Sequence, residues 1–163
     1  MYLKSTTALL AAAGCCIAVG AGSPARAADQ ISENAAGLYS FRYVTRESGV
    51  TWVMTPCGED RPRCVEVTKY ESDDALLERP GWRGNAYWAV GSWSMVVDVP
   101  GVKTCDDGTR HTLPTTYSWN AVTNVGWRSF VDPGLCGDEG GIKNRKFELA
   151  RIGPPPGGGV PAE

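Results

Sequence analysis

Cys57, Cys64, Cys105 and Cys136 have the clearest chemical options in this chain, since thiols bind metal, attack as nucleophiles or pair. A zinc site takes cysteines two to four residues apart plus further ligands. Here Cys57 and Cys64 are more widely spaced, and the lone His111 stands elsewhere. Pairing is therefore the expected chemistry, and four cysteines allow three connectivities. Of these we expect Cys57–Cys64 and Cys105–Cys136. The first would staple a tight turn rich in Pro56, Gly58 and Pro62, and the second would tie a turn before one strand to a turn after a later one.

Acid–base and nucleophilic chemistry find less support. His111 is the only histidine and follows the Cys-Asp-Asp-Gly-Thr-Arg turn at 105–110. No G-x-S-x-G elbow occurs, and Ser48 and Ser92 lack its context. The acid pairs Asp73-Asp74, Asp106-Asp107 and Asp138-Glu139 are sequence neighbours, which on a strand point to opposite faces. A glycosidase needs two carboxyls brought from different strands. No D-x-D-x-D-G calcium loop is present. We assign no catalytic residue, no metal and no cofactor.

The aromatics carry the functional signal. Six Trp and six Tyr are many for a chain of this length, and most would fill a core. Tyr87 and Trp88 are adjacent, so one of them must leave the core if both lie in a strand. Trp82, beside Arg83 in a Gly-rich loop, is similarly hard to bury completely. Trp82, Arg83 and Trp88 are thus the expected binding residues, suited to a sugar or another protein.

The elements that must position these residues begin after a leader. Lys4 opens it, an apolar run extends from about Thr6 to Val19, and Ala25-Arg26-Ala27 forms a cleavage signal. Residues 1–27 read as a signal peptide, which places the remainder where disulfides form. The run is too short for a membrane span. Ala12-Ala13-Gly14-Cys15 offers an alternative, a weak lipobox in which Cys15 would carry a lipid anchor. Loss of Lys4 and Arg26 with the leader takes the net charge from −2 to −4. That balance argues against nucleic acid as a partner. Lys143, Arg145 and Lys146 form the one dense basic run and read as a solvated strand face.

Residues 28–36 read as a flexible lead-in, and 37–152 as a single disulfide-linked domain. Alternation of period two marks strands at Tyr39/Phe41/Tyr43, Val50/Trp52/Met54, Val65/Val67, 86–90, 92–99, Tyr117/Trp119, Trp127/Ser129/Val131 and 145–152. Only 72–79 has helical character, and Pro100-Gly101 and Asp107-Gly108 read as turns. The Pro/Gly tail, 153–163, should be disordered. About eight short strands predict an all-β fold, either an antiparallel sandwich or a partly closed up-and-down barrel. Gly81-Trp82-Arg83 recurs as Gly126-Trp127-Arg128, without a common period that would make it a repeat.

The order of motifs resembles a group of small mycobacterial exported proteins and lipoproteins, related to extracellular domains of some mycobacterial Ser/Thr kinases. The residues that carry it are Cys57, Gly58, Cys64, Val65, Cys105 to Thr109, Tyr117 to Asn120, Cys136 and Gly137. Asn120 departs from the pattern, where relatives often have Asp. The resemblance implies export, disulfides and a β domain, and transfers no active site. The expected function is a non-enzymatic binding or interaction module at the cell envelope or outside the cell, with a glycan or protein as partner. The competing expectations are a hydrolase acting on envelope glycans and a carrier holding a small apolar ligand inside a barrel.

Overall fold

The computed structural model describes residues 24–44, 46–71 and 76–156, with side chains from residue 30 onward except at 45–48. A helix, α1 (Pro24–Ala35), precedes eight antiparallel strands. They are β1 (Gly37–Tyr43), β2 (Arg46–Pro56), β3 (Cys64–Tyr70), β4 (Pro80–Ala89), β5 (Ser92–Thr104), β6 (Arg110–Asn120), β7 (Val125–Asp132) and β8 (Gly141–Gly153). Each strand pairs with the next, and β8 returns to pair with β1, so the sheet closes into a barrel. Closure removes the unpaired edges that an open sheet exposes. The fold is thus the barrel of the two expected architectures, and it is fully rather than partly closed.

The period of two sends alternate residues inward. Tyr39, Phe41, Trp52, Met54, Val65, Val67, Trp82, Ala86, Trp93, Met95, Tyr117, Trp119, Phe147 and Leu149 form one core. Across the middle, rings pack edge to face and offset: Phe41 lies 4.8 Å from Trp52 and 4.9 Å from Phe147, and Trp52 lies 5.2 Å from Tyr117 and 5.7 Å from Trp119. Such offset and tilted contacts suit the ring quadrupoles. This layer divides the interior. One cavity of about 290 Å³ lies at the helix end, and one of about 280 Å³ at the far end.

Three expectations need correction. Residues 28–36 are not a loose lead-in: all but Ala36 belong to α1, with Ile31 and Ala35 packed on the core. Short helices hold chiefly by such packing. Tyr39 also donates its hydroxyl proton to the Ala35 carbonyl at 3.0 Å, and Arg151 donates to the Ala36 carbonyl at 2.7 Å. All these contacts lie beyond Ala27, so cleavage there would leave them in place. Second, Pro100-Gly101 is not a turn. β5 runs on to Thr104, and the register with β6 shifts between Val99 and Lys103, with Gly101 at φ +63. A bulge there bends the strand instead of ending it. Third, Leu76 to Arg79 are not helical, while the rest of that expected helix, 72–75, lies outside the described residues. So do residues 1–23 of the leader, Cys15 among them, and the tail from 157; the leader's last four residues, 24–27, are the start of α1.

Candidate functional site

The expected cysteine pairs form: Cys57–Cys64 within the β2–β3 connection, and Cys105–Cys136 between the β5–β6 and β7–β8 connections. His111 lies against the second bridge, close enough to both sulfurs for the three to suggest a metal site. Those sulfurs are bonded to one another, and the metal ligand is a thiolate, so the cluster has no donor set while the bridge is intact.

The expected binding patch does not assemble. Trp82, Gly84, Ala86 and Trp88 share the inward parity of β4, while Arg83 and Tyr87 point outward. Trp82 stands in β4 and not in the expected loop, is only 9% exposed, and packs edge-on against Trp52 at 5.5 Å. Trp88 lies six residues further along, about 20 Å away at the opposite end of the barrel. It is half-buried under the Arg63 guanidinium at 5.3 Å and lines the helix-end cavity. The earlier expectation failed because a two-residue period orders positions relative to one another without saying which parity faces in.

Tyr87, however, is 52% exposed, and a row on the outer face joins it to an aromatic that sequence reasoning did not select. Tyr87 is opposite Ser94, Ser94 opposite Ser118, Ser118 opposite Trp127, and Trp127 opposite Lys146. Trp127 is 54% exposed. Strands lie about 4.8 Å apart, so two exposed rings stand about 14 Å from each other with two serines between them. The next row carries Thr116, Ser129 and Asn144 in register. This is a shallow hydroxyl- and amide-bearing surface with an aromatic face at each side.

Trp127 points outward because its neighbour must point in. A Cβ on Gly126 would come within 2.3 Å of the Ser118 carbonyl oxygen, 2.6 Å of Trp119 Cβ and 2.8 Å of the Phe147 ring. Gly126 therefore takes the inward position beneath Phe147, which turns Trp127 out and Arg128 in. The sequence holds no signal for this: the same three residues, Gly-Trp-Arg, face opposite ways at 81–83 and 126–128.

At the far end, inward parity gathers charge. Arg128 is opposite Arg145, and Phe130 opposite Lys143. They line a concavity of about 460 Å³ with Val102, Lys103, Asp132 and Ile142. Arg145 lies 4.9 Å from the Tyr43 ring centre, and Arg128 Nη1 donates to the Tyr43 hydroxyl oxygen at 2.9 Å. Burial pushes the Tyr117 hydroxyl's pKa well up, against the opposing pull of Arg128. Lys143, Arg145 and Lys146 are exposed as expected, but they do not share one face: Lys143 and Arg145 look into the concavity, and Lys146 looks out.

Two carboxylates also converge here. Asp132, fully buried, lies 3.3 Å from Lys103, and Asp138 pairs with the same ammonium. Asp132 Oδ1 accepts from the backbone N–H groups of Leu135 and Gly134, each at 3.0 Å. The Leu135 and Gly134 bonds and the Lys103 charge hold its carboxyl below the usual carboxylate range, despite its burial. The two acids raise the Lys103 pKa in turn. A glycosidase acid needs the reverse, a carboxyl held protonated near neutrality.

No protein family, curated protein or solved structure matches this chain. Among the described residues, no helix is long and apolar enough to cross a membrane.

Proposed function

We propose that this chain is an exported, non-enzymatic binding domain that works at the cell envelope or outside the cell, and that it holds a glycan on the outer face of β4–β8. The observation that carries the reading is the row Tyr87–Ser94–Ser118–Trp127, two half-exposed rings flanking hydroxyls in register. Rings stack on the apolar faces of sugars while hydroxyls and amides exchange hydrogen bonds with their edges. Two disulfides and the N-terminal leader pattern support export, and the cysteine motifs support kinship with the mycobacterial exported proteins they resemble. A carrier would need one continuous internal cavity, and the packed ring layer, which divides the interior in two, argues against that. A hydrolase would need a protonated acid, and the Lys103 cluster argues against that.

The test is a titration of the exported, oxidised protein with envelope polysaccharides, read by tryptophan fluorescence. Tyr87→Ala and Trp127→Ala should each weaken binding by at least about tenfold, as central aromatic contacts do. Both positions are half-exposed, so the fold should survive. A double variant that binds as well as the parent sinks the glycan reading. Intact mass of the same preparation decides between a start at Ala28 and a lipidated Cys15.

A further inference from the structure

We infer that the far-end concavity is a phosphate site, built by Arg128, Arg145 and Lys143 and independent of the outer aromatic row. Its cations are arranged against their own stability. Arg128 and Arg145 are direct cross-strand partners on one face, where like charges repel. Among the described residues, neither has a carboxylate within ion-pair distance. Asp132, the acid that shares the cavity, is spent on Lys103 and two backbone N–H groups. The Tyr43 ring, 6.0 Å from the Arg128 guanidinium and 4.9 Å from that of Arg145, offsets part of the repulsion through its negative face. Arg128 also leans on Phe130 at 5.3 Å.

A second observation points to a ligand. The Nε of Arg128 is buried without a hydrogen-bond partner, although a guanidinium there has five N–H donors to satisfy. Nη1 is used by Tyr43, and the Tyr117 hydroxyl also meets this guanidinium. An oxyanion seated between the two guanidiniums would accept from both forks, and Lys143 would supply a third charge from the neighbouring inward position. Three cations suit a phosphate group, which carries nearly two charges at neutral pH, better than a single carboxylate. Val102, Phe130 and Ile142 line the same concavity, whose volume is that of a small-molecule site. They give an organic phosphate somewhere to rest its apolar part.

The discriminating variant is Arg145→Glu in the full chain, exported and oxidised, at an exposed position. It turns a repulsive pair into an attractive one. Its Tm should therefore rise while phosphate binding falls by at least about tenfold. Lys143→Gln should weaken binding by a smaller factor without moving Tm. Calorimetric titration with inorganic phosphate and with phenyl phosphate at low salt separates the sources. Tighter phenyl phosphate binding assigns an organic phosphate, and equal affinity assigns the free ion. The proposal is overturned if neither probe binds the parent protein, if Arg145→Glu binds them unchanged, or if that variant melts lower. None of these readouts depends on Tyr87 or Trp127, so this site and the glycan surface fail separately.

Discussion

The two ends of this barrel solve one problem in opposite ways. At the helix end, α1 seats Ile31 and Ala35 on the core, and Tyr39 and Arg151 donate to the carbonyls where the helix stops. Polar backbone that burial would orphan is paired there, and a cation lies at the helix C-terminus, where the dipole favours it. The far end has no such plug. It gathers Arg128, Arg145 and Lys143 while its acids, Asp132 and Asp138, are taken by Lys103, and it holds its hairpins together by sulfur. A closed sheet has no edge to protect, so its ends are where chain chemistry can vary. Here one end is spent on stability and the other keeps unsatisfied charge available.

The disulfides express the same contrast and carry the largest expected effect. Cys57–Cys64 staples one connection already closed by a backbone bond from Cys57 N–H to the Cys64 carbonyl at 3.1 Å. Cys105–Cys136 joins two different hairpins over a sequence separation of 31 residues. Loop-closure entropy puts the two bridges at about 2.5 and 3.7 kcal/mol respectively. Replacing Cys105 and Cys136 by Ser should therefore lower denaturant-measured stability more than replacing Cys57 and Cys64. It should also speed hydrogen exchange selectively in β7 and β8, where the paired arginines push apart. Equal losses from the two double variants would erase the distinction between the ends.

Next in size is Gly126→Ala, which tests the wall common to both ends. The added methyl meets backbone and two ring-bearing side chains at under 3 Å. Overpacking of this kind costs about 1–3 kcal/mol. The near-ultraviolet signal of the ring layer should change with it, because Trp119 and Phe147 must move. An unchanged melting curve would mean that the parity of β7 has another cause.

That parity is what the sequence could not disclose. The alternation at Tyr39/Phe41 and Trp93/Met95/Val97 was plain and enough for an all-β reading, although β4 begins well before and β5 runs well beyond the expected strands. The short Cys57–Cys64 spacing and the turn residues around all four cysteines were enough for the bridges. Trp82, Trp88 and Trp127 were harder, because a lone strand shows two faces and only its partners tell which is inside. Gly126 decides it through Ser118 and Phe147, residues from two other strands. The Arg128–Arg145 pair likewise exists only in the register of β7 with β8. α1 was missed for a similar reason: its own residues are polar and few, and Arg151 reaches it from more than a hundred positions away.

At the helix end, Tyr39→Phe removes one hydrogen bond to the Ala35 carbonyl while keeping the ring in the core. A loss of about 1 kcal/mol is expected. Exchange in the last turn of α1 should quicken, and the far end should not respond. A matching change at Cys105 or Cys136 would show that the two ends are coupled through the ring layer, against the partition argued here.

The smallest effect is the one that pH reveals. Asp132→Asn keeps an oxygen for the Gly134 and Leu135 N–H groups but removes the charge facing Lys103. In the parent the carboxyl's pKa is depressed in the folded protein, so the stability it contributes is present above the unfolded value of about 3.9. It is lost as pH falls through the lower folded value. The variant should therefore melt a few degrees below the parent at pH 7, and the gap should close as the solution is taken well below pH 4, where both forms are neutral at position 132. Asp138 remains on Lys103 in both proteins, which keeps the difference small. A gap that persists undiminished in acid would trace the loss to the geometry of the Asp132 turn and not to its charge, and the far end would then owe its shape to backbone bonding as the helix end does.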